Sequence, residues 1–218
     1  MHPLSLTSEK FGPLRLLCLG AHADDIEIGC GGTLLRLFSE VAPASIRWVV
    51  FSGSEVRRAE ARCSAEAFLQ TAGGDNQVDV FSFPDARFPS CVTAIKDSFE
   101  TLKRECEPSL IFTHWRGDAH QDHRVIAELT HNTFRDHLIL EYEIPKYDGD
   151  FGNPNLFVPL TRQLASRKAD AIIANYPSQH VRNWFTCETF MALARLRGIA
   201  CNAPGGFAEA FYSSKLVV

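Results

Sequence analysis

The sequence predicts an α/β fold in which a mostly parallel sheet carries helices on both faces and binds its ligand at the carboxyl ends of the strands. Three observations predict it. Short apolar, β-branched or aromatic runs alternate along the chain with longer stretches of helical periodicity. Strands that alternate with helices are joined by right-handed crossovers and so lie parallel. Two of the runs end in polar clusters, His22-Ala-Asp24-Asp25 and His114-Trp-Arg-Gly-Asp118-Ala-His120-Gln-Asp122-His123, and open parallel sheets hold their ligands at such strand ends.

The elements follow in order. Leu14–Leu19 reads as the first strand, and a helix opens near Asp25 and continues through Thr33–Glu40. Ile46–Phe51 is the second strand. A helix from Glu55 to Thr71 puts Ala61, Ala65, Phe68 and Leu69 on one face and stops at Gly73-Gly74. Val78–Phe83 is the third strand. Val92–Cys106 is a helix with Ile95, Phe99 and Leu102 at helical spacing, and Pro108 closes it. Leu110–Thr113 is the fourth strand, and Asp122–Arg135 is the helix after it. Further on, Leu138–Ile144 is a candidate strand and 147–155 a turn-rich loop expected to cover the site. Thr161–Ala174 and Asn183–Arg197 read as helices, and Phe207–Val218 as a final strand pair or an extended tail. With no internal repeat and no linker, residues 1–218 read as one domain.

Composition narrows the function class. The chain has 218 residues, 45% hydrophobic and 22% charged, which suits one domain with a full core. A net charge of -4 and the lack of a basic stripe exclude nucleic acid as the natural partner. No window approaches the roughly 18–20 apolar residues of a membrane span. The N-terminus lacks the basic and apolar regions of a signal peptide. Seven cysteines without CxxC spacing fit a reduced compartment. A cytoplasmic protein acting on a small molecule is expected, and a homo-oligomer is compatible with this reading.

The clusters point to a metal. His22 and Asp25 stand three positions apart across a strand-to-helix turn and can converge on one point. Imidazole with carboxylate suits Zn²⁺ or Fe²⁺, and a third protein ligand beside an open position makes such a site catalytic. The missing histidine is sought in the second cluster. Taken alone, the first turn is equally a helix cap or a surface feature. The glycines after it also suggest dinucleotide binding, but Gly-x-Gly-x-x-Gly is absent and two acids would face a pyrophosphate.

Ala21-His-Ala-Asp-Asp-Ile-Glu-Ile-Gly-Cys-Gly-Gly-Thr33 resembles the Ala-His-Pro-Asp-Asp-Glu signature of the PIG-L/LmbE-like N-deacetylases. His120-Gln-Asp122-His123-Arg124 resembles that family's His-Pro-Asp-His motif. The resemblance covers residues 14–135 and extends to Tyr176-Pro-Ser-Gln179 and Ala208-Glu-Ala-Phe211, while Ala23 and Gln121 stand where proline is usual. Members share a Rossmann-like sheet and a divalent metal, usually zinc, and remove the acetyl group from N-acetylglucosaminyl groups. The resemblance therefore implies a hydrolase that deacetylates an N-acetylated amino sugar. It implies Zn²⁺ as the cofactor, with Fe²⁺ or another divalent ion as the alternative. His22, Asp25 and His123 would hold the metal. Asp24 would be the general base, and His120 would face the tetrahedral intermediate and the leaving amine.

Amide chemistry asks for the same parts. The amide carbon is a poor electrophile, so a Lewis acid is needed, together with a carboxylate that is not a ligand but lies near the attacking water. A longer acyl group or a non-sugar amine stays open, because no motif reports the pocket walls. A non-catalytic sugar-binding protein of the same fold also stays open, although such a protein has no need of Asp24.

Other residues carry two readings each. Asp122 either orients an imidazole as an outer partner of the metal or caps the following helix. Arg57 or Arg58 would grip substrate hydroxyls or a phosphate, or lie solvated. Asp85 could bind a sugar hydroxyl, and Tyr142, Tyr147 and Asp148 flank the covering loop. His114 and Asp118 lie near the cluster, but a strand-end histidine is commonly a packing residue. Glu27, Gly29, Gly31, Gly32 and Phe211 read as structural. His2, His131 and His137 carry no functional reading, and His180 could reach the rim.

Overall fold

A computed structural model describes residues 13–216. His2 and the N-terminal segment read above, and residues 217–218 of the expected tail, lie outside the described residues. The strands β1 (Arg15–Gly20), β2 (Ser45–Ser52), β3 (Asp75–Phe83), β4 (Leu110–His114), β5 (Leu138–Tyr142), β6 (Leu156–Leu160) and β7 (Phe207–Tyr212) make one sheet. Its order is β3-β2-β1-β4-β5-β7-β6. The first five strands pair in parallel, and β7 runs antiparallel to both β5 and β6. The helices are α1 (Asp25–Glu40), α2 (Glu55–Leu69), α3 (Phe88–Glu105), α4 (Gln121–Thr133), α5 (Arg162–Asn175) and α6 (Cys187–Ala200).

Period-two alternation sends successive strand residues to opposite faces, and both faces are covered. Leu16, Cys18, Trp48, Val50 and Phe112 share a buried cluster with residues of α1, α2 and α5. Leu17, Leu19, Val49, Phe51 and Ile111 share another with residues of α3 and α4. Burial on both sides is why these strands read as continuous apolar runs. Ser54, Thr161 and Thr186 accept hydrogen bonds from the first turns of α2, α5 and α6 and so set where those helices begin.

The expected alternation holds, with two corrections. Leu156–Leu160 forms a strand between the expected loop and the expected helix, where the sequence pattern gave no element; Pro159 hides it, and the strand tolerates a proline because it lies at the sheet edge. The chain after Phe207 makes one strand ending at Tyr212, not a pair. Its partners come from earlier in the chain, which a local pattern does not report.

The first glycines of α1 bring it close to the sheet. A Cβ at Gly29 would overlap the Tyr142 ring, and one at Gly32 would press on Leu160 and Glu209. The Glu209 carboxylate accepts from Gly32 N at 2.8 Å and Thr33 N at 2.6 Å, while Lys168 donates to Ile28 O and to Glu209, each at 2.6 Å. This buried pair ties α1, α5 and β7 together.

Strand order sets the site. From β1 the chain steps outward to β2 and β3, then crosses back to place β4 on the other flank of β1. The crevice at this reversal, above the carboxyl ends of β1 and β4, is where such sheets bind ligands. His22 follows β1, and His114, His120 and His123 lie at or just after the end of β4.

Candidate active site

The two clusters meet. His22 Nδ1 lies 3.3 Å from Asp25 Oδ2 and 3.1 Å from His123 Nε2, and the last two atoms are 3.6 Å apart. Ligands about 2.0–2.1 Å from a tetrahedral zinc stand about 3.3 Å from one another. The triangle therefore fits a divalent ion. Asp25 and His123 are buried, His22 half-buried, and His22 N donates to Asp25 Oδ2 at 2.6 Å, closing the turn.

Each donor has a partner behind it. His123 Nδ1 lies 2.9 Å from Asp118 Oδ2, which leaves Nε2 facing the triangle. His22 Nε2 lies 3.1 Å from Asp85 Oδ1 and 3.4 Å from Asp122 Oδ2. Burial, with the neighbouring His114, pushes His123 down to about 3, so its ring is neutral. Burial pushes the Asp25 carboxyl up, but His123, His114 and His22 outweigh it and hold it well below the usual range. Burial also disfavours a charged His22, yet Asp25 and the bonds to Asp122 and Asp85 hold it well above an ordinary imidazole. A metal ion would displace that proton.

Asp24 occupies the N-cap position of α1 without making a cap hydrogen bond. Its Oδ1 lies 2.7 Å from Arg57 Nη2 instead, and Arg57 Nη1 reaches Glu60 Oε2 at 3.1 Å. Glu60 in turn accepts from Ser178 N and Oγ. Burial raises Asp24 above the usual carboxyl range against the pull of Arg57.

His120 caps α4, its Nδ1 accepting from Asp122 N at 3.3 Å. That bond puts the proton of a neutral ring on Nε2. The ring lies 4.8 Å from that of His22 and 4.6 Å from that of His123. Burial, with His22 beside it, lowers its affinity for a second proton. His120 also groups with His22 and His123 as a candidate metal-binding set. Asp122 is fully buried; it does not cap its own helix, and its Oδ1 accepts instead from Phe88 N, at the start of α3, at 3.1 Å.

The remaining predicted residues divide. Asp85 stands beside His22 with its side chain 73% exposed, next to Ala86 in the left-handed region at φ 57. Gln121 Nε2 donates to Ala86 O at 2.6 Å and holds that turn. Arg57 reaches the cluster through Asp24. Arg58 is half-buried with its Nε unpartnered among the described residues.

Tyr142 is a correction. Its ring is fully buried and its hydroxyl donates to Leu19 O at 2.6 Å, so no substrate can reach it. His180 Nε2 lies 2.8 Å from Ile173 O, against the backbone of α5.

Three participants were left unassigned in the sequence. His114 is fully buried, its Nε2 3.1 Å from Asp25 Oδ2 and its ring stacked 3.9 Å from that of His123. Asp118 does for His123 what the sequence reading gave Asp122 to do for one of the histidines. Glu60 anchors Arg57. Only the strand-end position of His114 and the five-residue reach from Asp118 to His123 hinted at this.

The family model for PIG-L, GlcNAc-PI de-N-acetylase, matches residues 17–134. The chain belongs to the PIG-L family. The uncharacterized deacetylase YaiS of Escherichia coli (strain K12) is 29% identical over 140 residues, 60% of this chain and 74% of that one. The N,N'-diacetylchitobiose deacetylase of Pyrococcus horikoshii superposes with a TM-score of 0.71 at 20% identity, covering 96% of this chain and 86% of that one. GalB, the 4-carboxy-2-hydroxymuconate hydratase of Pseudomonas putida KT2440, superposes at 0.67 with 16% identity, over 94% and 98%. The structural likenesses establish the shared fold. Because one of those proteins is a hydratase, the site residues have to specify the reaction.

Proposed function

We propose that this PIG-L family member is a zinc-dependent deacetylase that hydrolyses the N-acetyl group of an N-acetylated amino sugar or glycoconjugate. The observation that carries the reading is the His22, Asp25 and His123 triangle, with Asp24 beside it as a buried carboxylate outside the triangle. A divalent ion, when bound, polarises the acyl oxygen and makes water more acidic. His22, Asp25 and His123 would hold it, and two imidazoles with one carboxylate suit Zn²⁺. Asp24 takes the proton from the attacking water, and burial, by raising its affinity for protons, makes it a stronger base than an exposed carboxylate. Arg57 fixes its Oδ1. His120 donates its Nε2 proton in a hydrogen bond to the developing oxyanion, and the proton that Asp24 took from water passes on to the leaving amine. Asp85 is exposed at the rim and suits a sugar hydroxyl.

Seven free cysteines support a reducing, cytoplasmic setting. Among the described residues no helix is long and apolar enough to cross a membrane. The test is release of free amine from N-acetylated sugars, nucleotide sugars and glycosides by the zinc-loaded protein, with Asp24→Asn as control. If no N-acetyl sugar is turned over while longer N-acyl or non-sugar amides are, the substrate assignment falls. If nothing is turned over but sugars still bind, the protein is a binding module.

A further inference from the structure

The turn that presents His120 and His123 is gripped from outside by the loop that follows β5. Asp118 Oδ1 accepts from His120 N at 2.7 Å, and its Oδ2 faces His123 Nδ1 at 2.9 Å and Lys146 Nζ at 3.1 Å. Lys146 donates to both oxygens of Asp150, at 2.8 and 2.6 Å, and Asp150 Oδ2 also accepts from Ala119 N at 2.7 Å. From the other side Arg124 donates to the carbonyls of Asp118 and Ala119.

We propose that Lys146 and Asp150 form a clamp that positions His123 and His120 through Asp118 and Ala119. Asp118 is buried, and a buried carboxylate is costly unless its charge is compensated. Lys146 compensates it. The ammonium would also repel a metal ion, and Asp150 cancels that charge while engaging the Ala119 amide. The four-residue spacing of Lys146 and Asp150 lets one short loop supply both charges. A segment that holds no ligand and touches no reacting atom thereby sets where His123 and His120 stand. Both are positioning residues.

The inference rests on His123 being a metal ligand, and the experiment separates the two. Zinc dissociation constants of the full chain are measured by chelator competition without substrate, together with the visible spectrum of the Co²⁺-loaded protein. The charge-neutral double variant Lys146→Met/Asp150→Leu should bind zinc about tenfold more weakly, the lower end of what removal of an outer partner does, and its Co²⁺ spectrum should change. Lys146→Arg should restore most of the affinity. A double variant with wild-type affinity and spectrum overturns the clamp. If His123→Ala binds zinc as tightly as wild type, the ligand assignment fails, and the clamp loses its target. Should the double variant not fold, Asp150→Asn keeps an acceptor for Ala119 and removes only the charge; unchanged affinity there also overturns the proposal.

Discussion

Replacing Glu27 by glutamine should abolish a pH dependence of stability that the wild type carries between about pH 4.5 and 7. The argument is proton counting. Tyr176 Oη lies 2.5 Å from Ala23 O and 2.6 Å from Glu27 Oε1. A phenol has one hydrogen, and a carbonyl oxygen only accepts. The Tyr176 proton therefore goes to Ala23 O, and Glu27 completes the second bond by donating, which requires a protonated carboxyl. Glu27 is fully buried and its Oε2 has no partner among the described residues. Burial accordingly pushes its carboxyl from 4.5 up to about 7. Below pH 4.5 the group is protonated in both the folded and unfolded chain and costs nothing. As pH rises from there the unfolded chain ionises first, so stability falls until about pH 7, where the folded carboxyl ionises too and the loss levels off. At about 1.4 kcal/mol per pH unit the loss is about 3 kcal/mol. Glutamine donates to Tyr176 without titrating. Denaturant melts of both proteins, in chelator, at half-unit steps from pH 4 to 8 should show the variant gaining on the wild type across this window. A difference that stays flat with pH would refute a protonated Glu27.

Four further outcomes follow from the site. Asp24→Asn should keep most of the metal and lose turnover by roughly 10²–10⁴-fold; near wild-type rates would move the base elsewhere. His22→Ala and His123→Ala should each lose zinc by elemental analysis, and undiminished metal in both would dissolve the triangle. Arg57→Met removes the cation that lowers the affinity of Asp24 for protons; because the base works deprotonated, the acid limb of kcat/KM should move to higher pH, and an unmoved limb would mean that Arg57 does not tune it. Zinc binding should release protons, since Asp25 holds metal-free His22 protonated; calorimetry in buffers of different ionisation enthalpy tests this, and an enthalpy independent of buffer would contradict it.

Alternation of apolar runs with helical periods was enough to read the first four strands as parallel, with the helices between them, because each of those elements buries a face of its own; the fifth was legible only as a candidate strand. The residues proposed to hold a metal could be named from the sequence too: His22 and Asp25 follow β1 and His123 opens the helix after β4, and a strand end in such a sheet is a fixed place. What lies behind them was not legible. Asp118, Glu60, Lys146 and Asp150 are ordinary charged residues of turns, helix and loop, and their partners are chosen by which loops the strand order brings together. Tyr142 shows the same limit in reverse. Its sequence neighbours suggested a rim position, whereas the alternation of β5 sends its ring under α1, against Gly29. Strand β6 escaped notice because an edge strand tolerates Pro159 and borrows its pairing from a segment about fifty residues later. The sequence by itself determined the class of fold and the kinds of donor at the site, since both follow from local periodicity and adjacency. Tertiary structure alone decided which carboxylate faces which imidazole, which cation pairs with Asp24, and which tyrosine is buried, because those depend on distances between chain segments that only the closed sheet sets.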